Sequence, residues 1–157
     1  MGSAIMIYKS VLWSAVLSAV IGFSGCARNQ QKDYTIGVPI ENCSKVSYDN
    51  HHLTDNGVNI YCPSGSIVIA AMDGIVKSIS LDSSGWVVET TCPNNNLHSH
   101  YSYLDSVAVS VGDTIHIYTK LGVLQQDQDF LHYELFRMEN GSTSHLSPLE
   151  QFNSFFE

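Results

Sequence analysis

From residue 57 onward, apolar and polar positions alternate in short runs closed by turn residues, which is the two-residue period of a half-buried pleated strand. Val58–Cys62 reads as one strand, stopped by Pro63-Ser64-Gly65. Ser66–Ala71 reads as the next, followed by Asp73-Gly74, a hairpin signal. Ile75–Leu81 alternates up to the turn Asp82–Gly85, Trp86–Thr91 runs out to Pro93–Asn96, and Leu97–Leu104 returns. Val107–Val111, Thr114–Tyr118 and Leu121–Leu124 are further short strands, and Phe130–Leu135 is a β-patterned run with His132 inside it. No window has a helical period of useful length and no internal repeat is visible. The pattern from Tyr34 onward therefore predicts an all-β fold of hairpins.

The first quarter of the chain departs from this pattern. Lys9 is the only charged residue before Arg28, and Val11–Phe23 is an uncharged apolar run. That run is short for a stable bilayer anchor. A short positive start at Met1 or Met6, an apolar stretch and then small residues is the layout of a secretory signal. An N-terminal membrane helix is the competing reading, and it fits less well because the run stops at Gly25-Cys26. Phe23-Ser24-Gly25-Cys26 is similar to a bacterial lipobox, in which the cysteine becomes the acylated N-terminus. The expected organisation is a signal peptide at 1–25, a lipidated cysteine with a polar tether at 26–33, and a β domain at 34–157. The membrane would be reached through lipid on Cys26. Ala27 after the cysteine, where aspartate would signal retention, resembles Gram-negative lipoproteins of the outer membrane. The expected location is therefore its periplasmic face.

Charge sharpens the picture. Six basic and all 15 acidic residues follow Cys26, a net of −9 for that part. Such a surface repels nucleic acid and offers no basic patch for phosphates, so no nucleic-acid partner is expected. Cys43, Cys62 and Cys92 remain beyond Cys26. In an exported domain one disulfide and one spare thiol are expected. Cys62-Pro63 and Cys92-Pro93 both stand where a strand gives way to a turn, which favours the pair Cys62–Cys92. Metal ligation by these cysteines is disfavoured, because no C-x-x-C pair exists.

The order of punctuation carries a resemblance. Gly57-Val-Asn-Ile-Tyr-Cys-Pro-Ser-Gly-Ser-Ile-Val-Ile-Ala-Ala-Met-Asp-Gly-Ile-Val76 resembles the G-x-D-I-x-x-P-x-G-T-P-V-x-A-x-x-D-G-x-V stretch of the lysostaphin-type, or LytM, zinc endopeptidases. Tyr101-Ser-Tyr-Leu104 falls at their Y-A-H-L, and Val111-Gly-Asp-Thr-Ile115 with Leu121-Gly-Val123 at V-x-x-G-x-x-V and I-G-x-V. Leu131-His-Tyr-Glu-Leu135 falls at L-H-F-E-V, and Ser147-Pro-Leu149 at the closing N-P-L. The resemblance spans roughly residues 50 to 150 in consistent order. It implies a single compact antiparallel β-barrel-like sandwich with a groove across one face.

The resemblance also implies a site, and this sequence departs from it. Active relatives hold zinc through the histidine and aspartate of H-x-x-x-D and the second histidine of H-x-H. The remaining histidines handle the water and the oxyanion. Carried over position by position, the ligands fall on Asp55, Asn59 and His132, and the assisting histidines on Tyr103 and Phe130. Only His132 keeps the residue type. Asn59 removes a ligand charge, Phe130 cannot move a proton, and Tyr103 is a poor base near neutral pH. The loop before H-x-H is trimmed to Gln125–Asp129. The expectation is therefore no cofactor and no catalysis, with a groove of Tyr101, Tyr103, Phe130 and His132 binding peptide or glycan. The implied partner is peptidoglycan, a murein hydrolase or another envelope protein. The alternative is a divergent zinc endopeptidase that cuts peptidoglycan cross-links. A slipped alignment gives His51 and Asp55 an H-x-x-x-D spacing beside His132, yet it leaves Phe130 and Tyr103 in place.

The other histidines have a blander expectation. Strand pleating puts His98 and His100 on the face opposite Tyr103, outside the groove unless a bulge intervenes. His51, His52, His116 and His145 are expected on the surface. The anchoring reading is tested by Cys26→Ala. That variant is expected to be soluble or unprocessed, because acyl chains supply the membrane affinity. Fractionation with membranes as firm as the parent's would overturn it.

Overall fold

A computed structural model describes residues 36–48, 57–148 and 152. The expected signal segment 1–25, Cys26 with the expected tether to residue 33, and the candidate residues His51, His52 and Asp55 lie outside them. The strands are β1 (Lys45–Tyr48), β2 (Val58–Tyr61), β3 (Ile67–Ile69), β4 (Gly74–Asp82) and β5 (Gly85–Cys92). They continue with β6 (Leu97–Val107), β7 (Thr114–Ile115), β8 (Lys120–Leu124), β9 (Phe130–Glu139) and β10 (Ser142–Leu146). The main path through the sheet is β1-β2-β9-β6-β5-β4-β7, with β10 on β9 and β8 joining β3 to β6. Every pairing is antiparallel. The all-β expectation is met.

Turn chemistry sets the hairpins. Asp82 faces Gly85 across the β4–β5 turn, where Ser84 N–H donates to Asp82 Oδ1 at 2.7 Å and Gly85 takes φ 101°. A φ in that range favours glycine. The β5–β6 hairpin closes between Cys92 and Leu97, with Asn96 at φ 51°.

Four features differ from the sequence expectation. Asp73-Gly74 is not a hairpin, since β3 pairs with β8 while β4 pairs with β5 and β7. Gly74 is required instead by close packing, because a Cβ there would strike the Thr91 carbonyl oxygen. Val107–Val111 is the end of β6 followed by a turn in which Ser110 N–H donates to Asp113 Oδ2 at 2.8 Å. Thr114–Tyr118 shortens to Thr114–Ile115, since Thr119 N–H closes a turn on the His116 carbonyl at 2.9 Å and Tyr118 has φ 72°. Strands β1 and β10 were not expected, and the exposed β10 sequence STSHL has no apolar alternation to reveal it.

One face of the sheet carries the core. Val58, Ile60, Val88, Leu131, Tyr133 and Leu135 are buried there, alternating with the residues of the other face. Burial of such side chains contributes about 1.5–3 kcal/mol each. Tyr101 belongs to this core and not to the groove where it was expected. It is fully buried, its phenol oxygen accepts the Ala71 N–H at 3.0 Å, and its ring lies 5.3 Å from that of Tyr133.

The expected Cys62–Cys92 disulfide is also corrected. Cys43, Cys62 and Cys92 are free thiols. Cys62 N–H donates to the Asp129 carbonyl at 2.9 Å, whereas Cys92 pairs with Leu97, which pairs with Arg137. The strand rise from residue 129 to 137 alone separates the two by roughly 25 Å. A disulfide needs Cα atoms within about 7 Å. Tyr101→Phe strands the buried Ala71 N–H without an acceptor. It is expected to lower stability by about 2 kcal/mol in urea unfolding.

Candidate functional site

The face opposite the core is assembled by strand register. Asn59 on β2 pairs with His132 on β9, and Tyr61 pairs with Phe130. Across β9, Ser102 and His100 on β6 pair with His132 and Glu134. His100 in turn pairs with Glu89 on β5. Pleating points these cross-strand partners to one side.

A bulge completes this face. Val88 pairs with Tyr101 but Trp86 with Leu104, so β6 has one residue more than β5 between them. Tyr103 takes up the extra length at φ 69°, a conformation costing a non-glycine residue about 1–3 kcal/mol. Regular alternation would have sent Tyr103 into the core beside Tyr101. The extra residue turns it out, with its ring edge-on to Phe130 at 5.3 Å. Tyr61 flanks Phe130 on the other side at 5.8 Å. Tyr103, Phe130 and Tyr61 form an aromatic wall.

The bulge also corrects the expectation for His98 and His100. They lie on the same face as Tyr103 and His132 rather than on an outer solvent side. His98 is buried, its ring stacked on Phe136 at 5.2 Å, and His100 meets the same ring edge-on at 4.9 Å. His116 and His145 are exposed, as expected.

Polar groups on this face are partly paired with one another. His132 Nδ1 stands 2.9 Å from Asn59 Oδ1, within hydrogen-bond reach. Its Nε2 is buried without a hydrogen-bond partner among the described residues, 3.5 Å from Glu134 Oε1. That separation is an ion-pair distance and too long for a good hydrogen bond. Nε2 also abuts Gly57, where an added Cβ would come within 2.6 Å. The His132 proximity favours Glu134 as the carboxylate, against the opposing cost of burial, and lowers its pKa.

Glu89 anchors the other end. Burial opposes its charge, but Lys77 Nζ at 2.9 Å, His98 Nδ1 at 2.9 Å and Ser78 Oγ at 3.1 Å outweigh that cost. With His100 Nε2 3.6 Å away, the carboxyl is pulled down to about 2.

Zinc coordination can be judged from this donor set. Of the family ligand positions, Asn59 is neutral and tied to the ring nitrogen of His132, and the other ring nitrogen is walled by Gly57 and Glu134. Two side chains that would converge on a metal are hydrogen-bonded to each other. Among the described residues no group of three or more His, Cys, Asp or Glu side chains is arranged to hold a metal ion. The described donors do not fit zinc.

The sequence model of peptidase family M23 matches residues 53–145. The chain belongs to this family. Its fold recurs in solved M23-like structures. Csd3 of Helicobacter pylori is 21% identical over 78% of this chain and 38% of its own, with a TM-score of 0.55. Lysostaphin is 17% identical over 77% of this chain and 51% of its own, with a TM-score of 0.56. A chain of the SpoIIIAH and SpoIIQ complex is 21% identical over 74% of this chain and 99% of its own, with a TM-score of 0.58. At such identities the likeness shows the fold alone, and this chain spans only 38% and 51% of the first two. Comparison with the curated proteins gave no significant match.

Sequence reasoning missed the placement of His98, His100 and Glu89, because the bulge that aligns them has no glycine to announce it. Glu89 generates a pH prediction. Its folded-state pKa lies below the unfolded value, so its contribution is present above about 4.5 and is lost as pH falls toward about 2. Glu89→Gln is expected to lose ~1 kcal/mol at neutral pH, modest because the site is partly solvated. Chemical unfolding from pH 6 to pH 2 should also show a flatter acid slope than the parent.

Proposed function

We propose that this M23-family domain is a non-catalytic binding module of the cell envelope, held at the membrane through lipid on Cys26. Its ligand is peptidoglycan, engaged on the sheet face that carries Tyr61, Tyr103, Phe130 and His132. One observation supports this above the others: the positions that would hold and activate a zinc-bound water are engaged with one another. Asn59 hydrogen-bonds His132 at 2.9 Å, and Phe130 packs on Tyr103 at 5.3 Å.

The chemistry of binding follows from the same side chains. Three aromatic rings offer flat apolar surface for the ring faces of a glycan or the methyl groups of a peptide. Ser102 and Glu134 stand beside them in the β6–β9 register and supply hydrogen-bonding groups to fix orientation. Phe130 has no proton to give or take, so that position cannot assist water attack. The SpoIIIAH and SpoIIQ structure is a complex between two proteins. A murein hydrolase or another envelope protein is accordingly the second partner class for this face.

The test joins three measurements on the purified chain: metal content, turbidity of purified sacculi with a chelator control, and co-sedimentation with those sacculi. The expected result is no stoichiometric zinc, no chelator-sensitive clearing, and co-sedimentation weakened about five- to tenfold by Phe130→Ala, the loss of roughly 1–1.4 kcal/mol of ring contact. Chelator-sensitive clearing would establish a divergent zinc endopeptidase instead. Absence of co-sedimentation would remove peptidoglycan as the ligand.

A further inference from the structure

Two of the three thiols beyond Cys26 lie at one corner of the sheet. Cys43 precedes β1, Cys62 follows β2, and these strands pair antiparallel with Lys45 opposite Tyr61. One step outward, Ser44 N–H donates to the Tyr61 carbonyl at 2.9 Å, and Ser44 Oγ reaches the same oxygen at 3.3 Å. This places Cys43 and Cys62 on either side of the last inter-strand bond. Cys62, still bonded to β9 through the Asp129 carbonyl, keeps the alternation of Val58 and Ile60 toward the core, whereas Cys43 lies outside β1 and is not held to strand alternation. Asn42, at φ 56°, turns the chain just before Cys43. Both side chains pack into the same apolar cluster, Cys62 buried within it and Cys43 half-buried against it. Cys92 is remote, its sulfur accepting the Asn95 amide at 3.8 Å.

We propose that Cys43 and Cys62 close an intramolecular disulfide that staples β1 to β2 at the corner nearest Phe130, and that Cys92 is the spare thiol. Cys43 is the more exposed of the two and reacts first. Its thiolate attacks one sulfur of an external disulfide and releases one thiolate. The Cys62 thiolate then attacks the Cys43 sulfur of the mixed disulfide and releases the second. Two electrons and two protons pass from the protein thiols to the external disulfide. Burial raises the pKa of both thiols, with Cys62 pushed up to about 11 and the nearby Cys43 adding a smaller upward push. Closure is therefore slow at neutral pH and faster in mild alkali.

The staple would fix the chain at both ends of the 43–62 segment. In the chain-entropy account a closed loop of this length is among those that stabilise measurably. It would hold edge strand β1 against β2, the strand that presents Asn59 and Tyr61.

The probe is oxidised glutathione, applied in vitro to the full chain at about pH 8.5, where about half of an ordinary thiol is ionised. The outcome does not depend on export or on any ligand, so it stands apart from the proposed function. Alkylation without reduction, followed by peptide mapping, should recover Cys43 linked to Cys62 and Cys92 alkylated. Cys92→Ser should keep the two-proton mass loss and Cys43→Ser should abolish it. Reduction of the linked parent should lower the melting temperature by about 10 °C. Persistence of a glutathione adduct on Cys43 without closure would overturn the assignment, as would alkylation of both Cys43 and Cys62 or a link from either to Cys92.

Discussion

The side-chain arrangement of the candidate site depends on one extra residue in strand β6. Two strands of equal length would keep Tyr101 and Tyr103 on the same side, and both rings would compete for the core. With Tyr103 bulged at φ 69°, Tyr101 and Leu104 stay in the core while Tyr103 crosses to the opposite face. The bulge costs about 1–3 kcal/mol in backbone conformation. It is held by what surrounds it: Gln125 N–H donates to the Tyr103 carbonyl at 3.0 Å, and the Tyr103 ring packs on Phe130. The β6 strand on one side of the bulge aligns with β9, and on the other it aligns with β8. One local irregularity thus serves the core, the sheet junction and the outer face together.

Given that frame, the departures from the zinc endopeptidase pattern act as a set. A neutral Asn59 alone beside a ligand histidine would leave a polar gap. Here Asn59 and His132 face each other in the β2–β9 register and close on each other at 2.9 Å. A phenylalanine alone at position 130 would leave an apolar ring beside a polar groove. Tyr61 and Tyr103 enclose it instead, in contacts worth about 0.5–1.5 kcal/mol each beyond burial. A metal at His132 Nδ1 would have to break this buried hydrogen bond.

The elements that could be read from the sequence are those written in local chemistry. Asp82–Gly85 and Pro93–Asn96 mark their hairpins, and the alternation of Ile75–Leu81 and Trp86–Thr91 marks the strands between them. Asn59, Tyr103, Phe130 and His132 were placed in one site by the order of motifs, and the structure brings all four to one face. Non-local facts were not legible. Asp73-Gly74 has the same local signal as a hairpin turn, and only the pairing of β3 with β8 shows that it is not one. The Tyr103 bulge carries no glycine, so its effect on His98 and His100 could not be foreseen. Cys62 and Cys92 have matching local contexts, a strand end followed by proline, yet they stand at opposite ends of the sheet. Proximity is set by β1, whose sequence KVSY is too short and polar to announce itself.

The acidic balance of the domain takes on structural meaning at this face. Glu134 and Glu89 lie two strands apart, with His100 paired to each of them. Two carboxylates on one partly buried surface would repel each other and pay for desolvation. Hydrogen bonds from Lys77, His98 and Ser78 outweigh the burial of Glu89 and leave it ionised down to about pH 2. The Glu89 end of the face is consequently preorganised: its hydrogen bonds to Lys77, His98 and Ser78 are already made. A ligand gains little by displacing them. Under the proposed binding role, net affinity comes from the aromatic half, where Tyr61, Phe130 and Tyr103 present partly exposed rings, while the charged half discriminates by rejecting groups it cannot accommodate.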